Sequence, residues 1–326
     1  ELGGLGGRPV TDAGVAGLAP GESGGGVTYE ALCARVEANA GPSTGEGGAE
    51  PREIPTRTER LAGAVAGHEV ASHLDGEVVL GRVVTLPYTE RALLPVPGER
   101  DRGLELTAGS RELEASLARA ERGLDELVGL VTEVGEAESF PVPYYLAEVA
   151  DTAGFSDATA PSKAAGVDPD WNRAFMKALG ESLERYSAAV YRTGTLNSAP
   201  PEAVEEAVHP DRFVRPEGSP VDETPIRWVP ATELVSGDDA FLPAEAVQFP
   251  PSENHYFAPV TTGLGLGSSS VEAVLSGLYE VIERDAAMLS WYSTFEPLAL
   301  SVDDDDRYRT LRRRARSAGL EGTAGT

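Results

Sequence analysis

The chain has 326 residues, 41% of them hydrophobic, which is enough for two domains or one large domain with a real core. Fifty-three acidic residues against 27 basic ones give a formal net charge of -26. This charge argues against nucleic acids and anionic membranes as partners, because their phosphates would be repelled. The single cysteine, Cys33, excludes an internal disulfide, a cysteine-based zinc site and an iron-sulfur cluster.

The choice of charged residues and the lack of long apolar runs indicate the compartment in which the protein works. Only two of the basic residues are lysines, Lys163 and Lys177, and an acidic, lysine-poor chain is typical of a high-salt cytoplasm, where salt screens repulsion between carboxylates. No apolar run approaches the ~20 residues that span a bilayer, and no basic and then apolar leader opens the chain. We therefore predict a cytoplasmic protein. The start at Glu1 and the bland ending AGLEGTAGT suggest a piece of a longer protein.

The N-terminal part divides into two segments. Residues 1–56 are rich in glycine and proline and are predicted to be irregular, apart from helical character over 29–38. Residues 57–124 contain helical periodicity over 58–74 and a polar helix over 110–122.

Further along the chain, alternation predicts strands. The runs DELVGLVTEV and PVPYYLAEVADTAG alternate in the manner of paired strands. Residues 226–234 and 241–249 are predicted strands around the turn SGDD, and 307–316 is predicted to be a basic helix.

A helix predicted over residues 168–191 carries an acidic face. Side chains follow one another at about 100° around a helix, which places Glu181 and Glu184 on one side. The opposite side is apolar and is predicted to face the core; its members are Phe175, Leu179, Leu183, Tyr186 and Val190.

The segment over residues 257–291 predicts a strand, a glycine-rich turn and a long helix. Glu272, Glu280 and Glu283 share one stripe of this helix. An apolar arc roughly opposite is predicted to anchor the helix in the core. Its members are Val274, Leu275, Leu278, Val281, Ile282 and Leu289.

The start of the long helix suits a charged ligand. Ser269 and Glu272 have the spacing of a capping box. Ahead of them, Gly263, Gly265 and Gly267 leave the backbone bare where it enters the helix. Amides at a helix N-terminus suit an anion such as phosphate, and carboxylate oxygens suit Mg²⁺.

Composition offers a simpler interpretation of the same glutamates. Many helix faces in such an acidic chain carry carboxylates, so both stripes would be ordinary solvent faces. The context of the glutamates, ERYS after the first pair and ERD after the second set, favours a site instead.

These two segments resemble a known family. GESLERYSAAVYR at 180–192 and TTGLGLGSSSVEAVLSGLYEVIERDAAMLSWY at 261–292 are similar to the hallmark segments of the YcaO superfamily, ATP-dependent enzymes that activate peptide backbone amides. With SKAAG at 162–166 and WVPATELVSG at 228–237, the resemblance covers roughly residues 125–300.

The resemblance implies roles for individual residues. Four glutamates would be the ligands of Mg²⁺, namely Glu181, Glu184, Glu280 and Glu283. The ATP-binding residues would be Glu272, Lys163, Ser162, Arg185, Arg284, Gly263, Gly265 and Gly267. For the two arginines, bracing a glutamate is an alternative to binding phosphate, because a guanidinium suits both anions. No side chain is assigned as a catalytic nucleophile.

The chain also departs from the family pattern. Thr262 stands where the family often has asparagine, and the chain ends about 40 residues after the ERD helix, so the domain looks truncated at its C-terminus. Residues 57–105 weakly resemble an E1-like docking domain that accompanies azoline-forming YcaO proteins, without its zinc-binding cysteines.

The predicted fold is therefore mixed α/β: an irregular segment at 1–56, a partial docking region at 57–124 and a YcaO-type domain at 125–326. The implied function is ATP- and Mg²⁺-dependent activation of peptide amides, leading to an azoline or a thioamide. The alternative is a non-catalytic scaffold or accessory protein of a peptide- or ribosomal-protein-modifying complex, of the methylthiotransferase accessory type. The expected partners are a peptide or protein substrate, a docking or sulfur-transfer protein and a second copy of the chain.

Overall fold

The computed structural model describes residues 2–4, 14–17, 29–40, 56–75, 82–86, 89–94, 106–215, 221–294, 296, 298–302 and 304–322. The predicted mixture of helices and sheets is confirmed. The described strands are β1 (Leu2–Gly4), β2 (Gly14–Gly17), β3 (Arg82–Thr85), β4 (Thr89–Ala92), β5 (Val131–Glu138), β6 (Tyr144–Val149), β7 (Lys163–Val167), β8 (Asn197–Ala199), β9 (Ile226–Thr232) and β10 (Asp239–Pro243). The described α-helices are α1 (Tyr29–Asn39), α2 (Thr56–Leu74), α3 (Leu113–Ala120), α4 (Trp171–Ala189), α5 (Ser270–Tyr292) and α6 (Asp306–Ser317).

The described strands form three antiparallel sheets. Their strand orders are β1-β2-β3-β4, β5-β6-β7 and β10-β9-β8. The predicted pairing of β5 with β6 is confirmed, with Val134 opposite Ala147. The predicted pair around SGDD is also confirmed as β9 and β10, although β10 ends at Pro243 because a 3₁₀ turn begins at Ala244.

Helix α4 packs across the β5-β6-β7 sheet with almost no gap. A Cβ on Gly166 of β7 would lie 2.1 Å from the carbonyl oxygen of Ala174, so only glycine permits this approach. The predicted apolar face is confirmed, because Leu179 and Tyr186 are fully buried. The helix begins at Trp171, later than predicted, where the Asp170 side chain caps it by accepting a hydrogen bond from the Arg173 amide.

A single buried cluster joins the N-terminal part of the chain to α4. Leu32 and Val36 of α1, the helix expected over 29–38, pack in one cluster with Tyr186 and Val190. Arg35 strengthens this junction by donating from Nη1 to the Leu94 carbonyl over 2.6 Å. The segment boundaries predicted at 56 and 124 therefore stay a prediction, because residues from both sides share this core.

The expected anchoring of α5 by its apolar arc is wrong for the described chain. Most of the arc is exposed: Leu275 39%, Leu278 47%, Val281 43%, Ile282 57% and Leu289 65%. Gly277 is the buried residue of this helix. Helical periodicity shows that a face is apolar, but it does not show what covers that face. Helix α5 is instead attached through its backbone to the glycine-rich turn.

None of the helices in the described ranges has both the length and the apolar character required to cross a bilayer.

Candidate functional site

The acidic face of α4 is held against β7 by an arginine. Oε2 of Glu181 accepts a hydrogen bond from the Ala165 amide over 2.7 Å, and Oε1 accepts one from Arg185 Nη2. The other guanidinium nitrogen, Nη1, donates to the carbonyl of Lys163. Arg185 therefore braces Glu181, which is one of the two roles predicted for this arginine. About a quarter of the Arg185 side chain remains exposed.

Glu184, one helical turn further, faces other carboxylates. Burial, followed by the charges of Glu280 and Glu181, raises the pKa of its carboxyl above the ordinary value of 4.5. Arg185 acts in the opposite direction with a smaller effect. The acidic faces of α4 and α5 thus approach each other at Glu184 and Glu280, as the family resemblance implied.

The glycine-rich turn lies between the two helices. Its first glycine, Gly263, has a positive φ of 93° and donates from its amide to Oε2 of Glu280 over 3.2 Å. Cβ atoms on Gly265 and Gly277 would lie 2.2 Å and 2.4 Å from backbone oxygens, which shows direct contact between turn and helix. On the other side, Leu266 reaches Gly180 of α4. The turn therefore fixes the spacing of the two acidic helices.

The predicted cap at the start of α5 is present in a modified form. The Ser269 side chain accepts a hydrogen bond from the Glu272 amide over 3.3 Å. Oε2 of Glu272 accepts from the amide of Ser268 over 2.7 Å, not from Ser269 as a standard capping box would have it. Glu272 thus stabilises the turn, and its predicted contact with a nucleotide stays a prediction.

A cleft beside this junction contains two arginines and no acidic residue. It has a volume of about 330 Å³, and its walls are Pro161, Arg185, Phe249, Pro259, Val260, Thr261, Thr262 and Arg284. Among the described residues, the Arg284 side chain forms no ion pair. Two guanidinium groups in a concave surface with apolar walls suit an anionic ligand that has an apolar part. The wall residue Phe249 carries no sequence motif that would have pointed to this role, whereas Thr261 opens the glycine-rich segment at 261–292.

Three other predicted site residues show no side-chain contact with this junction in the described ranges. Lys163 lies at the start of strand β7, not in a loop, and its Nζ is 3.4 Å from Oε1 of Glu148. The Ser162 carbonyl accepts from the Val149 amide within the sheet. Glu283 is exposed on α5. In the described ranges, no three carboxylate, histidine or cysteine side chains are close enough to form a ready metal cage.

The chemistry of the assembled groups fits a divalent cation with a phosphate ligand. Carboxylate oxygens of α4 and α5 are hard donors that Mg²⁺ prefers. Burial, followed by the charges of Glu280 and Glu181, raises the pKa of Glu184 there. The guanidinium groups of Arg185 and Arg284 supply positive charge in the adjoining cleft. Carboxylates that can bind a metal ion, next to guanidinium groups that can bind phosphate, are complementary in charge to a metal ion bound to a polyphosphate.

Comparisons with known proteins agree with this chemistry. Residues 165–323 match the family model described as YcaO cyclodehydratase, ATP- and Mg²⁺-binding. An uncharacterized protein of Methanothermobacter thermautotrophicus is 30% identical over 204 residues, which cover 59% of this chain and 50% of that protein.

Solved structures share the fold over nearly the whole chain. A heterocyclase in complex with substrate and cofactor superimposes with a TM-score of 0.70 at 18% identity, covering 94% of this chain and 51% of that one. The heterocyclase TruD gives a TM-score of 0.59 at 17% identity, covering 94% of this chain and 48% of that one. The chain thus spans about half the length of the relatives it matches.

Proposed function

Since the chain belongs to the YcaO superfamily through residues 165–323, we propose that it binds ATP with Mg²⁺ and uses them to activate backbone amides of a peptide. The family is described as ATP- and Mg²⁺-binding. The product would be an azoline, or a thioamide where an external sulfur donor takes part.

One observation carries the proposal: Glu184 is partly buried and faces Glu280 and Glu181, beside the cleft that holds Arg185 and Arg284. Burial, followed by these two charges, raises the pKa of Glu184. Like charges ~5 Å apart repel by about 3 kcal/mol at an effective dielectric of ~20. Divalent cations convert this repulsion into attraction. A fold that keeps such groups together therefore gains from a bound metal.

The chemistry of the side chains assigns metal binding to the glutamates and phosphate binding to the arginines in this proposal. Glu181, Glu184, Glu280 and Glu283 would hold Mg²⁺, which neutralises phosphate charge when bound. Arg284 and the exposed part of Arg185 would bind phosphate oxygens from the cleft.

The backbone of the turn would support these side chains. The amide of Gly263 keeps Glu280 oriented, while Glu272 keeps the turn closed through Ser268. Positioning and charge stabilisation are thus the main contributions of the protein.

The proposed reaction balances without a protein nucleophile. The amide oxygen attacks the γ-phosphorus of ATP, and ADP leaves. A neighbouring Cys, Ser or Thr side chain then attacks the amide carbon and loses its proton. Inorganic phosphate departs with the former amide oxygen, and the amide nitrogen loses its proton as the C=N bond of the azoline forms. In the thioamide variant, the sulfur donor attacks that carbon instead.

An isotope experiment tests this reaction. A peptide with oxygen-18 in the backbone carbonyl preceding a cysteine is incubated with the protein, ATP and Mg²⁺. We expect one labelled oxygen in each phosphate released, and a peptide lighter by one water. If the reaction releases ADP but the phosphate carries no oxygen-18, amide phosphorylation is contradicted.

A second candidate is a non-catalytic scaffold that presents a peptide to a partner enzyme. Two observations favour it: Arg185 is already engaged by Glu181, and no ready metal cage exists in the described ranges. Two results together would support the scaffold. The wild-type protein would bind a cysteine-containing peptide, and addition of such a peptide would not increase the release of ADP.

A further inference from the structure

Helix α6 carries a dense stripe of arginines on a strongly acidic protein. Four of its arginines fall within about 100° of one another around the helix, and we name them the arginine stripe: Arg309, Arg312, Arg313 and Arg316. Arg309, Arg313 and Arg316 are exposed. Arg312 is half-buried and lies over the ring of Tyr308.

Two of the four arginines in the stripe have no carboxylate partner in the described ranges. Arg309 pairs with Asp306 one turn earlier, whereas Arg313 and Arg316 form no ion pair with any residue of the described ranges. Like charges at this spacing destabilise a helix. The helix dipole favours Arg316 in the last turn, but it gives no such reason for Arg309 or Arg313.

A short acidic segment fits the stripe better than a long polyanion. The stripe spans eight residues from Arg309 to Arg316, and the seven steps between the first and the last cover about 10 Å at ~1.5 Å per residue. An extended peptide covers that length in three or four residues. A nucleic acid would place further phosphates against a protein whose net charge is -26, and these would be repelled.

The start of α6 lies near the candidate site, although Arg307 projects from the side of the helix opposite the stripe. Arg307, at the start of α6, is 4.0 Å from Oδ2 of Asp168. The same oxygen accepts from Lys177 Nζ over 2.8 Å. Lys177 lies one turn before Glu181 on α4. Helix α6 therefore begins beside the helix that carries two of the proposed metal ligands.

From this placement and charge, we propose that the arginine stripe binds an acidic segment of the peptide that the site acts on. The identity of that peptide as substrate rests on the proposed function. The binding itself does not, because it needs neither ATP nor metal.

Fluorescence anisotropy tests the binding. The probe is a labelled peptide of alternating Glu and Ser, titrated in low salt with wild-type protein and without ATP. Changing Arg309, Arg313 and Arg316 to Gln should weaken binding about tenfold, since each of three exposed ion pairs contributes roughly twofold to the affinity. The same three positions changed to Lys should retain most of the affinity.

A matched control separates the stripe from net charge. Arg111, Arg119 and Arg122 are exposed arginines outside α6, and changing all three to Gln alters the charge equally but should leave peptide affinity unchanged. Equal weakening in both triple variants, or equal binding of a peptide with Gln in place of Glu, would overturn the proposal. The proposal would also be overturned if the stripe bound a thymidine oligonucleotide more tightly than the acidic peptide. Dimers of the wild type that dissociate in the stripe variant would overturn it too, because the stripe would then bind a second copy of the chain.

The result is distinguishable from failure of the proposed function. The affinity of the stripe variant for Mg²⁺ and ATP should equal that of wild type, because the stripe lies outside the carboxylate junction. Loss of peptide binding with intact ATP binding would locate the peptide contact at α6. Intact peptide binding without any ATP binding would support the stripe and contradict the proposed reaction.

Discussion

The amide of Gly263 donates a hydrogen bond to Oε2 of Glu280 over 3.2 Å, while its carbonyl oxygen lies 2.4 Å from where a Cβ on Gly277 would be. Both backbone polar groups of one turn residue are thus directed at α5. The orientation of a proposed metal ligand therefore depends on the contact between the turn and the helix.

Gly277→Ala tests this contact. Alanine normally stabilises a helix interior by roughly 0.5–1 kcal/mol relative to glycine. Here we expect the opposite, a loss of about 1–3 kcal/mol, because the new methyl group would overlap the Gly263 oxygen. The measurement is the free energy of unfolding in urea, together with the affinity for ATP.

The control for this change is Gly63→Ala in the middle of α2, where a Cβ meets no atom within 4 Å. That variant should be stabilised in the ordinary way. If Gly277→Ala were equally stabilising, the close contact between turn and helix would not exist in solution.

Glu184→Gln should stabilise the metal-free protein at neutral pH. Burial, with Glu280 and Glu181, raises the pKa of Glu184 above 4.5. A raised pKa means that this group supports the native state at pH below the unfolded value and that the support is lost as pH rises through the native pKa. Because half-exposed like charges are worth roughly 0.5 kcal/mol, we expect the Tm at pH 7 to rise by on the order of 1–2 °C.

The gain should disappear near pH 4, where the wild-type carboxyl is protonated, and Mg²⁺ should raise the Tm of wild type more than that of the variant. Glu136→Gln, at an exposed position of β5, is the control and should show neither effect. Identical Tm profiles for the two variants would rule out repulsion at Glu184.

The two residues that cap α5 should respond differently to substitution. Ser269→Ala removes the acceptor for the Glu272 amide and should cost about 1 kcal/mol of unfolding free energy. Glu272→Gln keeps an oxygen that accepts from the Ser268 amide, so stability should fall by less than about 0.5 kcal/mol. Urea unfolding measures both, and a tenfold loss of ATP affinity in Glu272→Gln alone would show that its charge contacts the nucleotide.

Salt should stabilise the whole protein. With a net charge of -26, repulsion between surface carboxylates opposes folding, and screening reduces it. We expect the Tm to rise continuously between about 0.1 M and 1 M KCl, well beyond the range in which ordinary surface charges are screened. Thermal unfolding at several KCl concentrations checks this, and a flat or falling Tm would contradict adaptation to high salt.

Local sequence patterns predicted the parts of the site that depend on a single element. The acidic and apolar faces of α4 follow from helical periodicity, and Tyr186 is buried as expected. The meeting of Glu184 with Glu280 was predicted only through the family resemblance, since residues 96 positions apart share no local pattern.

Contacts set by the tertiary structure escaped prediction. The exposed face of α5 around Ile282 shows that periodicity marks apolar faces without showing what covers them. The Phe249 wall of the cleft arises from a loop that meets α4 and α5 only in three dimensions. Arg185 could have braced a glutamate or bound phosphate, and only the hydrogen bonds to Glu181 and the Lys163 carbonyl show which it does here.

The most direct test of the account is a calorimetric titration with Mg²⁺ and a non-hydrolysable ATP analogue. Wild type and Glu136→Gln should bind saturably with equal affinity, while Glu280→Gln should bind at least about tenfold more weakly, because it removes a proposed metal ligand from the junction with Glu184. Equal affinity of Glu280→Gln and wild type, or no saturable binding by wild type, would contradict a shared metal and nucleotide site between α4 and α5.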